Sequence, residues 1–171
     1  MARIFVPLES SPRETRVAVT PETAKKFRSL GLSVLVEKGA GNLAGFSDKA
    51  YGEVGAELVD SDNEQSWSDS DVVLCVQEPK KECLEKLKSG TLVVGLLAPY
   101  GKESLASSLK SGELSAIALE LLPRISRAQS SDALSSQANV AGYKAVLLAA
   151  SALDRYFPML MTAAGTVQPA K

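Results

Sequence analysis

DVVLCVQEPKKECLEKLKSGTLVVGLL, residues 71–97, begins and ends on unbroken apolar runs, Val72–Val76 and Leu92–Leu97. Both have strand length and β-branched content. A strand with one wet face alternates apolar and polar residues, whereas these runs do not, so both of their faces must be covered, as in a parallel sheet packed between helices. The charged stretch between them starts after Pro79 and stops at Gly90, the punctuation of a short helix. The unit is therefore strand, helix, strand, and the two strands run parallel.

The same rhythm extends in both directions. Strands are expected over 4–8, 33–37, 57–59 and 115–119, with helices between them. Thr20 before Pro21 is an N-cap followed by proline at the first helical position, and Ser47-Asp48 opens another helix. Gly101-Lys102-Glu103 opens a further one. Gly31, Gly90 and Gly112 stand where helices should stop on a left-handed residue. The polar connection from Asp60 to Asp71 surrounds Trp67 and is too short to separate domains. Residues 1–122 are thus predicted to form one α/β domain, a Rossmann-like or flavodoxin-like doubly wound parallel sheet. From 123 the character changes to a serine-rich loop and one long helix, Asp132 to Leu153. Leu134, Ala138, Ala141, Ala145, Leu148 and Ala152 draw a small-residue apolar stripe along that helix. Such a stripe suits either a core helix or one that joins domains or meets a partner subunit.

Composition removes several functions. The 171 residues balance 19 basic against 20 acidic side chains, so no positive field exists to hold nucleic acid or an anionic membrane surface. Histidine is absent, which excludes Ser-His and Cys-His nucleophiles and the commonest metal ligand. No metal site is expected. Cys75 and Cys83 lack close pairing and read as reduced packing residues. The first residues, MARIFVP, resemble a strand and not a signal peptide, and Ala133–Leu153 carries too many polar groups for a membrane span.

Three segments carry candidate chemistry. Gly39-Ala40-Gly41-Asn42-Leu43-Ala44-Gly45 has a GxGxxxG spacing, but the Ser47 cap puts the helix start beyond the last glycine, unlike a phosphate loop. A plain glycine turn fits it better. Arg13, Glu14 and Arg16 lie on the first βα loop, on the side where parallel sheets meet ligands, though a solvated charged loop explains the same residues better. The segment PRISRAQSSD, residues 123–132, brings together two guanidiniums, an amide, a carboxylate and three hydroxyls. Arg124 offers a planar fork of donors, Gln129 both donates and accepts, and Asp132 can orient Arg124, so the set could hold a carboxamide and ribose hydroxyls. Capping of the long helix by Asp132 or Ser131 would explain the same residues without a ligand.

RVAVTPETAKKFRSLGLSVLVEKGAG, followed by FSDKAYGEVGA, resembles the opening of the family shared by alanine dehydrogenase and the proton-translocating NAD(P) transhydrogenases. ELLPRISRAQSSDALSSQANVAGYKAVLLAA with FPMLMTAAGTVQPAK is similar, more specifically, to the NAD-binding alpha subunits of the transhydrogenase branch. That resemblance implies oxidoreductase and translocase activity: hydride transfer between NAD(H) and NADP(H), coupled to proton transport. It implies a loop over the nicotinamide in which Arg124, Gln129 and Asp132 are catalytic, with Ile125, Ser126, Arg127 and Ser135 also binding cofactor. NAD would be the resident cofactor and NADP that of a partner component. The partners would be the membrane and NADP-binding components and a second copy in a homodimer. The location would be cytoplasmic, peripheral to the membrane, with no span of its own. A direct hydride transfer moves no proton, which accords with the missing histidine. The resemblance further implies that TAAGTVQPAK would lead into a nucleotide-binding Rossmann domain, so residues 123–171 read as clamp loop and interdomain helix of a fragment inactive alone. The dehydrogenase branch gives one alternative, a substrate domain using Arg16; a second, of a different class, is a non-catalytic oligomerisation or regulatory remnant left after loss of nucleotide binding. Gln77 and Ala98 stand where that branch has a lysine and a histidine.

Overall fold

Neighbouring residues on the central strands go to opposite sides. Phe5, Leu35, Val73 and Val93 enter one buried cluster, while Ile4, Val6, Val34 and Val36 enter another. The strands are β1 (Arg3–Val6), β2 (Ser33–Glu37), β3 (Glu57–Val59), β4 (Val72–Gln77), β5 (Leu92–Leu96) and β6 (Ser115–Ala118). In the computed structural model, which describes residues 1–170, they form one parallel sheet in the order β3-β2-β1-β4-β5-β6. This is the Rossmann order, not the flavodoxin order. The expected strands are present with ends moved by one or two residues.

Helices cover both faces. On one side α1 (Pro21–Ser29) and α2 (Asp48–Glu53) bury Ala24 and Tyr51 against β1 and β2. On the other, α4 (Lys81–Leu84) and α5 (Glu103–Ser111) contribute Leu84 and Leu105. The caps read from sequence are made: the Thr20 and Ser47 hydroxyls accept from the N–H groups of Thr23 at 3.3 Å and Ala50 at 3.4 Å. The polar connection before β4 is better ordered than its composition suggests. It holds a short helix, α3 (Gln65–Ser68), whose Trp67 meets Phe5 edge-on with ring centroids 5.0 Å apart.

Gly31 and Gly90 are left-handed as expected, but Gly112 is not; its φ is −85° and Glu113 takes the left-handed position at φ 52°. A Cβ at Gly112 would press on the Leu114 side chain at 3.1 Å, so any residue larger than glycine there requires Leu114 to shift. The 39–45 segment is a turn closed by a 3₁₀ turn at Asn42–Ala44, and α2 begins after it. A Cβ on Gly41 would sit 2.7 Å from the Phe46 carbonyl and from the Tyr51 ring, so close packing accounts for that glycine.

The chain divides into two compact units, Met1–Pro123 and a second from Arg124 onward. The second contains α6 (Ala133–Ala152) and a hairpin of β7 (Leu160–Thr162) and β8 (Gly165–Val167). No residue of α6 is buried. The expected stripe of Leu134, Ala138, Ala141, Ala145, Leu148 and Ala152 therefore lines no core within the described residues. Among those residues no helix is long and apolar enough to cross a membrane.

Candidate functional site

Two places concentrate polar chemistry, one in each unit. In the second unit Arg124 and Ile125 lead into a 3₁₀ turn, Ser126–Ser131, in which the Ala128 N–H donates to the Ile125 carbonyl at 2.9 Å. Asp132 ends the turn, its N–H donating to the Gln129 carbonyl at 3.3 Å. Asp132 then caps α6. Its Oδ1 accepts from the Ser135 N–H at 2.9 Å, and its Oδ2 accepts from the Ser135 hydroxyl at 2.6 Å. These two donors hold the Asp132 carboxyl below its usual pKa, and the nearby Arg124 guanidinium adds to the effect. The structure thus joins Asp132 to Ser135, while no hydrogen bond or ion pair links Arg124 to either among the described residues. Ile125, Ser126, Arg127 and Gln129 stand exposed around the turn. The capping role foreseen for Asp132 is made, and the side chains of Arg124 and Gln129 are displayed to solvent beside it.

The arrangement can present a guanidinium fork and an amide to a planar polar group. A carboxamide needs both a donor and an acceptor, which Gln129 supplies, and ribose hydroxyls can take either. Within the described residues Asp132 acts on the loop itself, as the cap of α6.

In the first unit, the loop after β1 faces the end of β4. Tyr51, fully buried, donates from its hydroxyl to the Val19 carbonyl at 2.7 Å and so fixes the far end of that loop. Glu14 is only 9% exposed. Its two oxygens accept from Arg16 Nε at 2.8 Å and Nη2 at 2.7 Å, and Oε2 also accepts from Gln77 Nε2 at 2.8 Å. The Arg16 bonds depress the Glu14 carboxyl to about 2 against the opposing effect of burial, with Gln77 assisting. Glu9 accepts from the Val76 N–H at 2.5 Å and the Gln77 N–H at 3.1 Å. Burial nevertheless raises its pKa above the ordinary value. Ala98 takes a left-handed φ of 45°, and its N–H donates to Glu120 Oε1, while Glu120 Oε2 is buried without a hydrogen-bond partner among the described residues.

The sequence reading singled out Glu14 and Arg16 but passed over Glu9 and the Gln77 contact. The available signal was position: a carboxylate three residues past a strand end, on the ligand side of a parallel sheet. Cys75 and Cys83 are free, as expected, and burial pushes both thiols up, Cys75 to about 12. Neither is a thiolate at neutral pH.

Residues 5–141 match the model of the alanine dehydrogenase/PNT N-terminal domain. The chain is 43% identical, over 99% of its length, to the first polypeptide of NAD(P) transhydrogenase subunit alpha from Rhodospirillum rubrum, and covers 45% of that protein. It is similar at 35% identity over 89% of its length to an alanine dehydrogenase of Bacillus subtilis, of which it covers 39%. A crystal structure of transhydrogenase from Sinorhizobium meliloti superposes with a TM-score of 0.89 and 44% identity, covering 98% of this chain and 50% of that one. The chain spans about half the length of the relatives it matches.

Proposed function

The chain belongs to the alanine dehydrogenase/PNT N-terminal domain family, and from that premise we propose that it is the N-terminal portion of the NAD-binding subunit of a proton-translocating NAD(P) transhydrogenase. The observation that carries the reading is the extent of the match: it runs through the exposed 124–135 loop and the helix beyond, at higher identity than the alanine dehydrogenase match. Both branches of relatives imply use of a nicotinamide nucleotide. In this reading the nucleotide is NAD, NADP belongs to a partner component, and further components carry the proton across the membrane. The subunit sits at the membrane through those partners and pairs with a second copy of itself.

Bound nicotinamide would supply the hydride from its ring C4. The chain's own residues would do the positioning. Asp132, fixed as the cap of α6, steadies the turn. Arg124 and Gln129 bind the carboxamide and a ribose hydroxyl, and Ser126, Arg127, Ile125 and Ser135 shape the rest of the cradle. Apposition of two rings is the main requirement, and positioning of this kind is worth roughly 7–11 kcal/mol of barrier in favourable cases. An amino-acid dehydrogenase role is not favoured, because Arg16 is engaged by Glu14.

The test is Gln129→Ala in the subunit completed with its nucleotide domain and assembled with its partners. Hydride transfer is expected to fall while NAD affinity stays nearly constant, as a residue that orients the rings requires. An equal loss from a substitution at exposed Lys49, far along the chain on α2, would remove the assignment.

A further inference from the structure

The loop that follows β5 is held more firmly than an exposed connection requires. The Lys102 N–H donates to the Pro99 carbonyl at 3.2 Å and closes a four-residue turn, with Tyr100 second and Gly101 third. Gly101 has a φ of 74° while Tyr100 keeps a negative φ, the pattern of a type II turn, whose third position calls for glycine. Pro99 fixes its own φ, and Ala98 before it is left-handed at 45°, which a residue with a Cβ adopts only when its surroundings impose it. Two tethers do so. The Ala98 N–H donates to Glu120, just past β6, and Lys102 Nζ meets Glu78 Oε2, just past β4, at 2.5 Å. The turn is pinned to the strand ends on both sides of β5.

What the turn carries is one ring. Tyr100 is 84% exposed, more than any other aromatic side chain among the described residues. No hydrogen bond or ring contact engages that side chain among them. Gly101, Lys102 and Glu103 follow it, so the ring stands by itself and not within an apolar patch of the size that a protein interface buries. The turn also lies at the carboxyl end of β5, the side on which parallel sheets receive ligands. A ring already fixed there has little freedom left to lose on binding, and its flat face suits another flat ring.

We propose that Tyr100, presented by the pinned turn at 99–102, is a stacking platform for the heterocyclic base of a nucleotide. Adenine and nicotinamide both offer such a face. The platform is read from the turn alone, whereas its service to a nicotinamide dinucleotide rests on the function proposed above.

The experiment follows the tyrosine ring resonances of the isotope-labelled chain by NMR. The chain is titrated separately with adenosine monophosphate, nicotinamide mononucleotide and, as the control without a base, ribose 5-phosphate. Tyr100→Phe identifies the Tyr100 signal by its absence. That signal is expected to move with one or both mononucleotides and to stay in place with ribose 5-phosphate, and the mononucleotide that moves it at the lower concentration names the base. Followed through the ligand's own base protons, Tyr100→Ala is expected to weaken that mononucleotide about 5- to 100-fold, the ordinary yield of one base on one ring, while Tyr100→Phe keeps most of the affinity. A Tyr100 signal that neither mononucleotide moves up to its solubility limit overturns the proposal, as does equal binding by Tyr100→Ala and the unsubstituted chain. In the completed subunit, a Tyr100→Ala that keeps its NAD affinity but loses its hold on a partner component marks a protein contact and overturns it too. The two readings fail separately. A Tyr100 ring that takes a mononucleotide, in a chain whose completed subunit passes no hydride, upholds the platform and removes the function. A silent Tyr100 beside a Gln129→Ala that lowers hydride transfer does the reverse.

Discussion

Apolar residues have opposite fates in the two units. In Met1–Pro123 the strands of the sheet hide them: Phe5, Val6, Val36, Val73 and Val93 are at most 1% exposed. In the unit from Arg124 onward, Tyr143 is 70% exposed and Leu148 58%, and α6 has no buried residue. The comparison teaches that an apolar pattern identifies a surface that gains from being covered without identifying what covers it. In the first unit the covering helices are local in sequence. For α6 the described residues contain no such layer.

The contrast is broken or sharpened most strongly by truncation. Phe5→Ala should cost about 3–5 kcal/mol in urea unfolding of the first unit, through lost transfer energy and the cavity left beside Trp67. Leu148→Ala should change stability by no more than about 0.5 kcal/mol, as surface substitutions do. A comparable loss at both positions would mean that α6 has a buried face after all.

A smaller effect separates the two polar sites. Glu14→Gln should cost about 1.5–3 kcal/mol at neutral pH, because it removes charged hydrogen bonds from a buried position. The pH dependence follows from the direction of the shift. A carboxyl lowered from 4.5 to about 2 adds stability that is fully present above 4.5 and is lost as pH falls toward 2. Glu14→Gln should flatten that stretch of the acid-unfolding curve. Glu9 and Glu37, raised by burial, work in the opposite sense, losing their contribution as pH rises through their folded values.

Smaller than the Glu14 effect is that of the helix cap. Asp132→Ala should weaken the start of α6 by about 1 kcal/mol, and Asp132→Asn should recover most of it. Hydrogen exchange at Ser135 reads this, since its N–H donates to the Asp132 carboxylate.

Much of the fold is legible in the residues alone. Unbroken apolar runs announce a parallel sheet, and Thr20, Pro21 and Ser47 mark helix starts that the backbone makes. Less visible are features that depend on tertiary neighbours. Composition makes 60–71 a polar connection, yet Trp67 anchors it against Phe5, and Ser66 and Ser70 are buried with it. Gly112 announces a left-handed stop and instead makes room for Leu114, a demand set by a side chain and not by φ. At the sites, Asp132 as a cap is readable from its position before an apolar helix. The Glu14–Gln77 contact is not, because it joins residues far apart in sequence through adjacent strands. The hairpin of β7 and β8 carries no strong turn signal at Ala163-Ala164, so the sequence does not reveal it.

The central claim is that this chain supplies the N-terminal half of a transhydrogenase NAD-binding subunit. The direct measurement fuses it to the remainder of the Rhodospirillum rubrum subunit, assembles the product with that enzyme's other components, and assays nucleotide-to-nucleotide hydride transfer alongside alanine-dependent NAD reduction. The expected result is transfer between NAD(H) and NADP(H) with no turnover of alanine. A folded, NAD-binding assembly that oxidises alanine and passes no hydride between nucleotides would contradict it.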